Sequence, residues 1–412
     1  MINLEESASR RDALTAARLD RLIPTLMGDA GIDCWILISR EYAEDPVVQT
    51  MLPAKWMSSR RRTILVFLRD GVDYARGAVT RYEVDGLFPT LWDPDVEPDQ
   101  WAALARQISD ARPESIAVNK STDFAHADGL TATEHQRLLD ALGPELAGRV
   151  VSSEDLAVRW LQTRLPEERR VLEEACAAAH EILQRALSPE AINPGSTTTA
   201  DLEWWLRGEV QKLGTGVWFH PSASVQRNGR DLRGSFASAT RPTVIEPGDL
   251  VHIDFGLAWD HLCTDQQQHG YVLERPGARV PEGLLEAMHK ANLAQDILLE
   301  HFVEGLSGNQ ILAGALADTR AAGLEATIYT HPIGYHGHGA GATIGLWDQQ
   351  DGVPGSGDIG IFGPSAWSIE LMNRAPVPEW GESVAIMLEE EAWFDGGAAT
   401  LVDGRQSEIW AI

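Results

Sequence analysis

Leu250-Val251-His252-Ile253-Asp254-Phe255-Gly256 is an apolar run of strand length that ends in an acid, and a second acid, Asp265 in Cys263-Thr264-Asp265, follows eleven residues later. Trp259-Asp260-His261 between them reads as a turn, so the spacing predicts two paired strands that carry both carboxylates on one hairpin face. Two like charges gathered in apolar surroundings either raise a pKa or need a cation between them. Taken alone, such a pair is more often two exposed turn acids.

The chain downstream changes that balance. His331-Pro332-Ile333-Gly334-Tyr335-His336-Gly337-His338-Gly339 offers three imidazoles in eight residues, with glycines that permit close approach to a ligand. Ser368-Ile369-Glu370-Leu371 puts an acid inside an apolar strand, and Val384-Ala385-Ile386-Met387-Leu388-Glu389-Glu390-Glu391 ends another in three acids. Asp254, Asp265, His331, Glu370 and Glu389 together form a hard, oxygen-rich donor set with one nitrogen. Such a set suits two divalent ions of the Mn, Fe, Co or Zn kind better than a structural zinc held by thiolates. On a strand Glu391 shares a face with Glu389 while Glu390 points away, so Glu391 is the rival for the last position. His252 shares a face with Asp254 and reads either as a support for the ligands or as a core histidine.

Upstream, the pattern is different. At 412 residues the chain is expected to hold two domains. A helix over 9–29 is followed by strands at Trp35-Ile36-Leu37-Ile38, Arg62 to Leu68 and Tyr74 to Thr80. Helices around Trp101 to Ala111 and Thr131 to Leu142 then alternate with strands at Ser115 to Val118 and Arg149 to Ser152, which predicts an α/β layer. Residues 153–165 read as a connection, and Leu165-Pro166-Glu167-Glu168 as a strong start for a long helix reaching about Leu187. Thr198 can cap a further helix with Asp201 and Glu203 in its first turn, and helices are expected at Glu282 to Val303 and Asn309 to Ala322. The domains are therefore read as 1–160 and 161–412, with the chemistry in the second. Gly355-Ser356-Gly357-Asp358-Ile359-Gly360 satisfies a dinucleotide pattern literally, but no strand precedes it and it reads as a loop.

Charge excludes some partners. Lys+Arg 34 against Asp+Glu 61 gives −27, a field that repels phosphate backbones and anionic membrane surfaces, so neither nucleic acid nor membrane is expected. Three cysteines, none in a Cys-x-x-Cys pair, build no disulfide framework, and the N-terminus has no apolar leader; the reading is a cytoplasmic protein.

In order, spacing and local motif, these residues resemble the pita-bread metallohydrolases, which include methionine aminopeptidase, Xaa-Pro aminopeptidase, prolidase and creatinase. The resemblance covers roughly 165–412, and the preceding region is similar to the smaller α/β N-terminal domain of the creatinase and prolidase branch. It implies an α+β chain with a pita-bread catalytic domain that holds two divalent metals, manganese first and Co, Zn or Fe as alternatives. Asp254, Asp265, His331, Glu370 and Glu389 are the implied ligands, and Asp265 and Glu370 bridge the two ions. A metal-bridged hydroxide would attack an amide, with Glu370 moving the proton and His338, seven residues after His331, steadying the oxyanion. A homodimer acting on a small peptide or small molecule is also implied.

Three departures bear on substrate. The family's substrate histidine, some seventeen residues before the first Asp, is replaced by Phe236-Ala237-Ser238, which leaves His220 in Trp218-Phe219-His220-Pro221 as the candidate. Gln266-Gln267-Gln268 stands where an arginine is common, and so does Met387. An Xaa-Pro aminopeptidase or dipeptidase is the first expectation. A creatinase-like hydrolase or lyase of a small non-peptide is the second, and a non-catalytic binding module the third.

Overall fold

The computed structural model describes residues 2–71, 73–228, 230–231 and 241–412. It divides into two compact units, Asn3–Leu161 and Gln162–Ile412, and Ile2 joins the second by donating its N–H to Leu213 O.

The first unit is an α/β layer. Helix α1 (Leu4–Arg21) gives way to α2 (Ile23–Asp29), because Pro24 has no N–H to continue the first helix. The single expected helix is therefore two. Strand β1 (Cys34–Arg40) is buried along nearly all its length, as a central strand must be. After the short α3 (Pro46–Gln49) come β2 (Arg62–Asp70), β3 (Asp73–Val79), α4 (Gln100–Ala111), β4 (Ile116–Val118), α5 (Ala132–Ala147) and β5 (Val150–Ser152). The sheet order is β3-β2-β1-β4-β5, antiparallel on the hairpin side and parallel where α4 and α5 make the crossovers. Within α5, Gly143 at φ 69 followed by Pro144 ends the first helical stretch at Leu142. Ile36, Ile38, Val66, Leu104, Ile108 and Leu138 form the core, each side chain worth about 1.5–3 kcal/mol on burial. Residues 154–162, read as connection, are a helix, α6 (Glu154–Gln162), whose Leu156, Ala157, Trp160 and Leu161 are buried.

The second unit opens with α7 (Pro166–Ala186). Pro166 takes the first turn, and the buried Glu168 accepts from Leu165 N at 2.6 Å and from Arg164 Nη1 at 3.0 Å. Helix α8 (Thr199–Leu213) has the expected cap, a reciprocal pair between Thr198 and Asp201. The chain continues through β6 (Ser222–Arg227), β7 (Arg230–Asp231), β8 (Asp249–Phe255), β9 (Ala258–Trp259), β10 (Leu262–Cys263) and β11 (Gln266–Tyr271). Helices α9 (Glu282–Glu300) and α10 (Gly308–Ala321) follow. The last strands are β12 (Glu325–Ile328), β13 (His331–Pro332), β14 (Ser365–Ser368), β15 (Leu371–Val377), β16 (Glu382–Leu388), β17 (Glu391–Phe394), β18 (Ala399–Leu401) and β19 (Trp410–Ala411). They form sheets of order β19-β11-β8-β6-β7, β12-β15-β16 and β13-β14-β17-β18, with β9 and β10 paired apart. Residues 356–358 make one 3-10 turn, so the glycine-rich stretch is a loop.

All three cysteines are free and buried, and burial is the first cause that pushes their thiols up, Cys263 to about 12. Among the described residues no helix is long and apolar enough to cross a membrane.

Candidate metal centre

Asp254 lies one residue from the end of β8, which pairs antiparallel with β11 and sets Asp254 opposite Gln267. The connection folds back as the β9–β10 hairpin, tightened by Asp260 and His261 at φ 48 and 77. Leu257 N donates to Thr264 Oγ1 and Thr264 N to Leu257 O, which closes the loop and returns Asp265 beside Asp254. Asp254 thus lies on β8 and Asp265 immediately before its partner β11, so the acids meet across the β8–β11 pair, and the hairpin between them, β9–β10, carries neither.

The two glutamates arrive by another route. Glu370 is not inside a strand: β14 ends at Ser368 and β15 begins at Leu371, so the chain passes from the four-stranded to the three-stranded sheet at Ile369-Glu370. Glu389-Glu390 lies in the corresponding break between β16 and β17. The breaks are side by side, since Ile369 N donates to Glu390 O, and Gln267 N donates to Glu389 O from the third sheet. Three sheets therefore meet where the acids collect. His331 comes in on β13, opposite Ser368, whose hydroxyl donates to Glu389 Oε1 at 2.6 Å.

Ligand-type atoms converge in three overlapping groups: Asp254, Asp265 and Glu389; His331, Glu370 and Glu389; and Asp265, His331 and His338, with atoms inside each group within 4.8 Å of one another. Asp254 Oδ1, Asp265 Oδ1 and His331 Nε2 are buried without a hydrogen-bond partner among the described residues. His331 Nδ1 faces Pro332 O at 3.0 Å, an acceptor, so the proton belongs on Nδ1 and Nε2 presents a bare lone pair toward Glu389 Oε1 at 3.5 Å. Buried, acceptor-only atoms aimed at a common space are costly unless a cation fills it. The donor set fits divalent metal.

Electrostatics agree. Burial first, then the charge of Glu389, pushes Asp254, Asp265 and Glu370 well above the ordinary carboxylate range. Burial would lift Glu389 too, but the His331 ring, in its protonated form, and the donors Ser368 and Gln267 stabilise its charge and hold it below.

Gln267, marked in the sequence only as part of a run standing where an arginine is common, is a site residue. Its amide nitrogen donates to Glu370 Oε1 at 2.6 Å and to Glu389 Oε2 at 2.7 Å, while Oε1 faces His252 Nε2 at 2.9 Å. Carboxylates only accept, which fixes the amide's orientation and requires His252 to donate from Nε2. His252 therefore supports the ligands through Gln267. Its position two residues after Asp265, at the start of β11, was the available signal.

Glu391, the rival for the last ligand, turns elsewhere: it accepts from Asp265 N and from Cys176 Sγ at 3.3 Å. Burial pushes it up to about 8. Glu390 accepts from Gln268 Nε2 at 3.3 Å and pairs with His180 Nε2 at 2.7 Å, whose Nδ1 lies 2.8 Å from Asp403 Oδ2.

His338 stands with its ring edge-on to His331, centroids 4.7 Å apart, and to Trp218 at 5.1 Å. Trp218 Nε1 donates to Thr264 O at 2.9 Å, and a Cβ at Gly337 would collide with the indole, so glycine is required there. His220 does not join these groups. Its ring packs on Trp204 at 5.0 Å, with Arg207 Nη1 3.3 Å from Nδ1 and Glu203 Oε2 3.6 Å from Nε2. Phe236-Ala237-Ser238 lies outside the described residues.

Residues 170–359 match the family model of metallopeptidase family M24. In fold the chain is similar to an X-Pro aminopeptidase from Thermotoga maritima, at 16% identity over 96% of this chain and 100% of the other, TM-score 0.67. It is also similar to an Xaa-Pro dipeptidase from Bacillus anthracis, at 16% identity over 97% and 100%, TM-score 0.64. The dipeptidase PepE from Mycobacterium ulcerans matches at 19% identity over 97% and 98%, TM-score 0.65. A sequence comparison with curated proteins gives no match.

Proposed function

We propose that this chain, whose residues 170–359 match the model of metallopeptidase family M24, is a dinuclear metal-dependent hydrolase, an Xaa-Pro aminopeptidase or dipeptidase that cleaves an amide bond. The observation that carries this reading is the trio of orphaned buried acceptors, Asp254 Oδ1, Asp265 Oδ1 and His331 Nε2, set among two further acids. Asp254, Asp265, His331, Glu370 and Glu389 hold the metals, manganese in this reading, which supply Lewis acidity to the substrate carbonyl and lower the pKa of water.

The chain's own residues do the rest. Glu370 has Oε1 engaged by Gln267, so Oε2 takes the attacking water's proton and delivers it to the leaving nitrogen. His338, braced by Trp218, donates to the carbonyl oxygen as charge develops there, a contribution of roughly 3 kcal/mol for a well-aimed donor. His220 is the substrate-side histidine, so His220→Ala should raise KM and leave metal content unchanged.

One observation favours a second reading, turnover of a small non-peptide. Gln266, Gln267 and Gln268 give their amides to Cys176 O and to Glu370, Glu389 and Glu390, so this strand offers a peptide carboxylate no positive charge. Turnover of Xaa-Pro di- and tripeptides with added Mn or Co, run beside creatine, tests both. Peptide cleavage with two equivalents of bound metal supports the first reading, turnover of creatine alone supports the second, and a protein that takes up no metal sinks both.

A further inference from the structure

The N-terminal unit contains a concentration of positive charge that the proposed hydrolysis does not use. Arg40 closes β1, Arg62 opens β2 directly opposite it in the antiparallel register, Arg61 precedes it, and Arg81 lies two residues beyond β3. All four line one cleft of about 640 Å³ walled by Trp92 and Trp101. In a chain of net charge −27 this clustering runs against the general trend.

Local neutralisation is incomplete. Like charges directly opposite on paired strands destabilise a sheet. A single buried carboxylate, Glu134, relieves them, 2.6 Å from Arg62 Nε and 3.4 Å from Arg40 Nη1, and it is also shared with Arg137 at 3.5 Å. Arg40 Nε is buried with no acceptor, and among the described residues the side chains of Arg61 and Arg81 have no ion-pair partner. Elsewhere in this unit Arg69, Arg76, Arg106, Arg149 and Arg159 each pair with a carboxylate. Arg61, in the lining of the same cleft, also holds φ 54, a left-handed conformation unfavourable for a long side chain. The Arg62 guanidinium lies 5.1 Å from the Trp101 ring, which keeps its fork in place.

We propose that this cleft is a binding site for a small oxyanion carrying at least two negative charges. Guanidinium forks match carboxylate and phosphate oxygens in pairs, and four of them against two acids, Glu134 and the lining Asp99, whose Oδ1 is engaged by Trp101 N and Ala102 N, leave a net positive hollow that a dianion neutralises. The volume suits a small molecule, while the overall charge repels a polyanionic strand. Succinate and inorganic phosphate present this chemistry as a dicarboxylate and as a phosphate.

The test is calorimetric titration of the full-length, metal-loaded protein with succinate and, separately, with inorganic phosphate, in chloride buffer at constant ionic strength. Saturable binding of one equivalent of either ion, weakened by about tenfold or more in Arg61→Gln/Arg81→Gln and unchanged in Arg159→Gln, is expected. Whichever ion binds identifies the ligand as a carboxylate or a phosphate. The proposal is overturned if neither ion binds saturably, or if the double variant binds as tightly as the parent. Arg61 and Arg81 are exposed, so matching circular dichroism spectra will confirm that the variants are folded.

Discussion

The amide nitrogen of Gln267 lies 2.7 Å from Glu389 Oε2 and, by the same group, 2.6 Å from Glu370 Oε1. One neutral donor thus spaces two buried carboxylates without cancelling the charge that a cation needs. Gln267→Ala frees both side chains, and loss of such a support typically weakens metal binding by about 10–100-fold. Titration of the metal-free protein with Mn measures this directly; an unchanged affinity would show that the amide does not position the pair.

Ligand and non-ligand histidines should separate cleanly. His331→Ala removes the bare Nε2, and Asp265→Ala removes an atom that faces Asp254 and Glu389, so each should abolish metal uptake and turnover together. His338→Ala should retain metal and lose roughly 10²–10³ in kcat. Elemental analysis beside rates decides it, and two equivalents of metal in His331→Ala would refute the ligand assignment.

Crowded acids make the metal-free protein pay in stability for its function. Asp265→Asn relieves repulsion from Glu389, Asp254, Glu370 and Glu391, so its metal-free melting temperature should rise by roughly 2–5 °C. The parent should instead be stabilised by added Mn, by about 2.7 kcal/mol at a hundred times Kd, and the variant should lose that response. A variant that melts lower than the metal-free parent would contradict the account.

His180 links stability to pH. Burial would lower its pKa, but Glu390 and Asp403, with Glu391 nearby, outweigh burial and lift it to about 9. A raised imidazole stabilises fully below its unfolded value near 6.5 and loses that contribution as pH climbs through 9, on the order of 2–3 kcal/mol. Urea denaturation at pH 6.5 and 9.5 should show the drop, and His180→Gln should flatten it. An equal drop in the variant would assign the effect to other groups.

Much of this was legible in the sequence because each ligand candidate sits in its own short motif: Ile-Asp-Phe-Gly around Asp254, His-Pro-Ile-Gly at His331, Ser-Ile-Glu at Glu370. The strand breaks were not. Apolar residues flank Glu370 closely on both sides and run unbroken from Val384 to Leu388, so periodicity reads one strand where the chain changes sheets, a choice made by distant partners. That break also voids the alternation argument that made Glu391 the rival of Glu389. Helix α6 escaped notice because its nine residues end three short of Leu165, leaving too small a window for a helical period. Gln267 was hidden for another reason: its spacing from Asp265 could be read, but what a glutamine does there cannot be until both of its acceptors are in place.

Cys34, Cys176 and Cys263 occupy a central strand of the first unit, the long opening helix of the second and the hairpin beside the acids. Sealed and protonated, none reacts until its own surroundings come apart. Nature has thereby installed three silent clocks: timed exposure to an alkylating reagent, read cysteine by cysteine, reports how often each region opens under native conditions, with no residue engineered in.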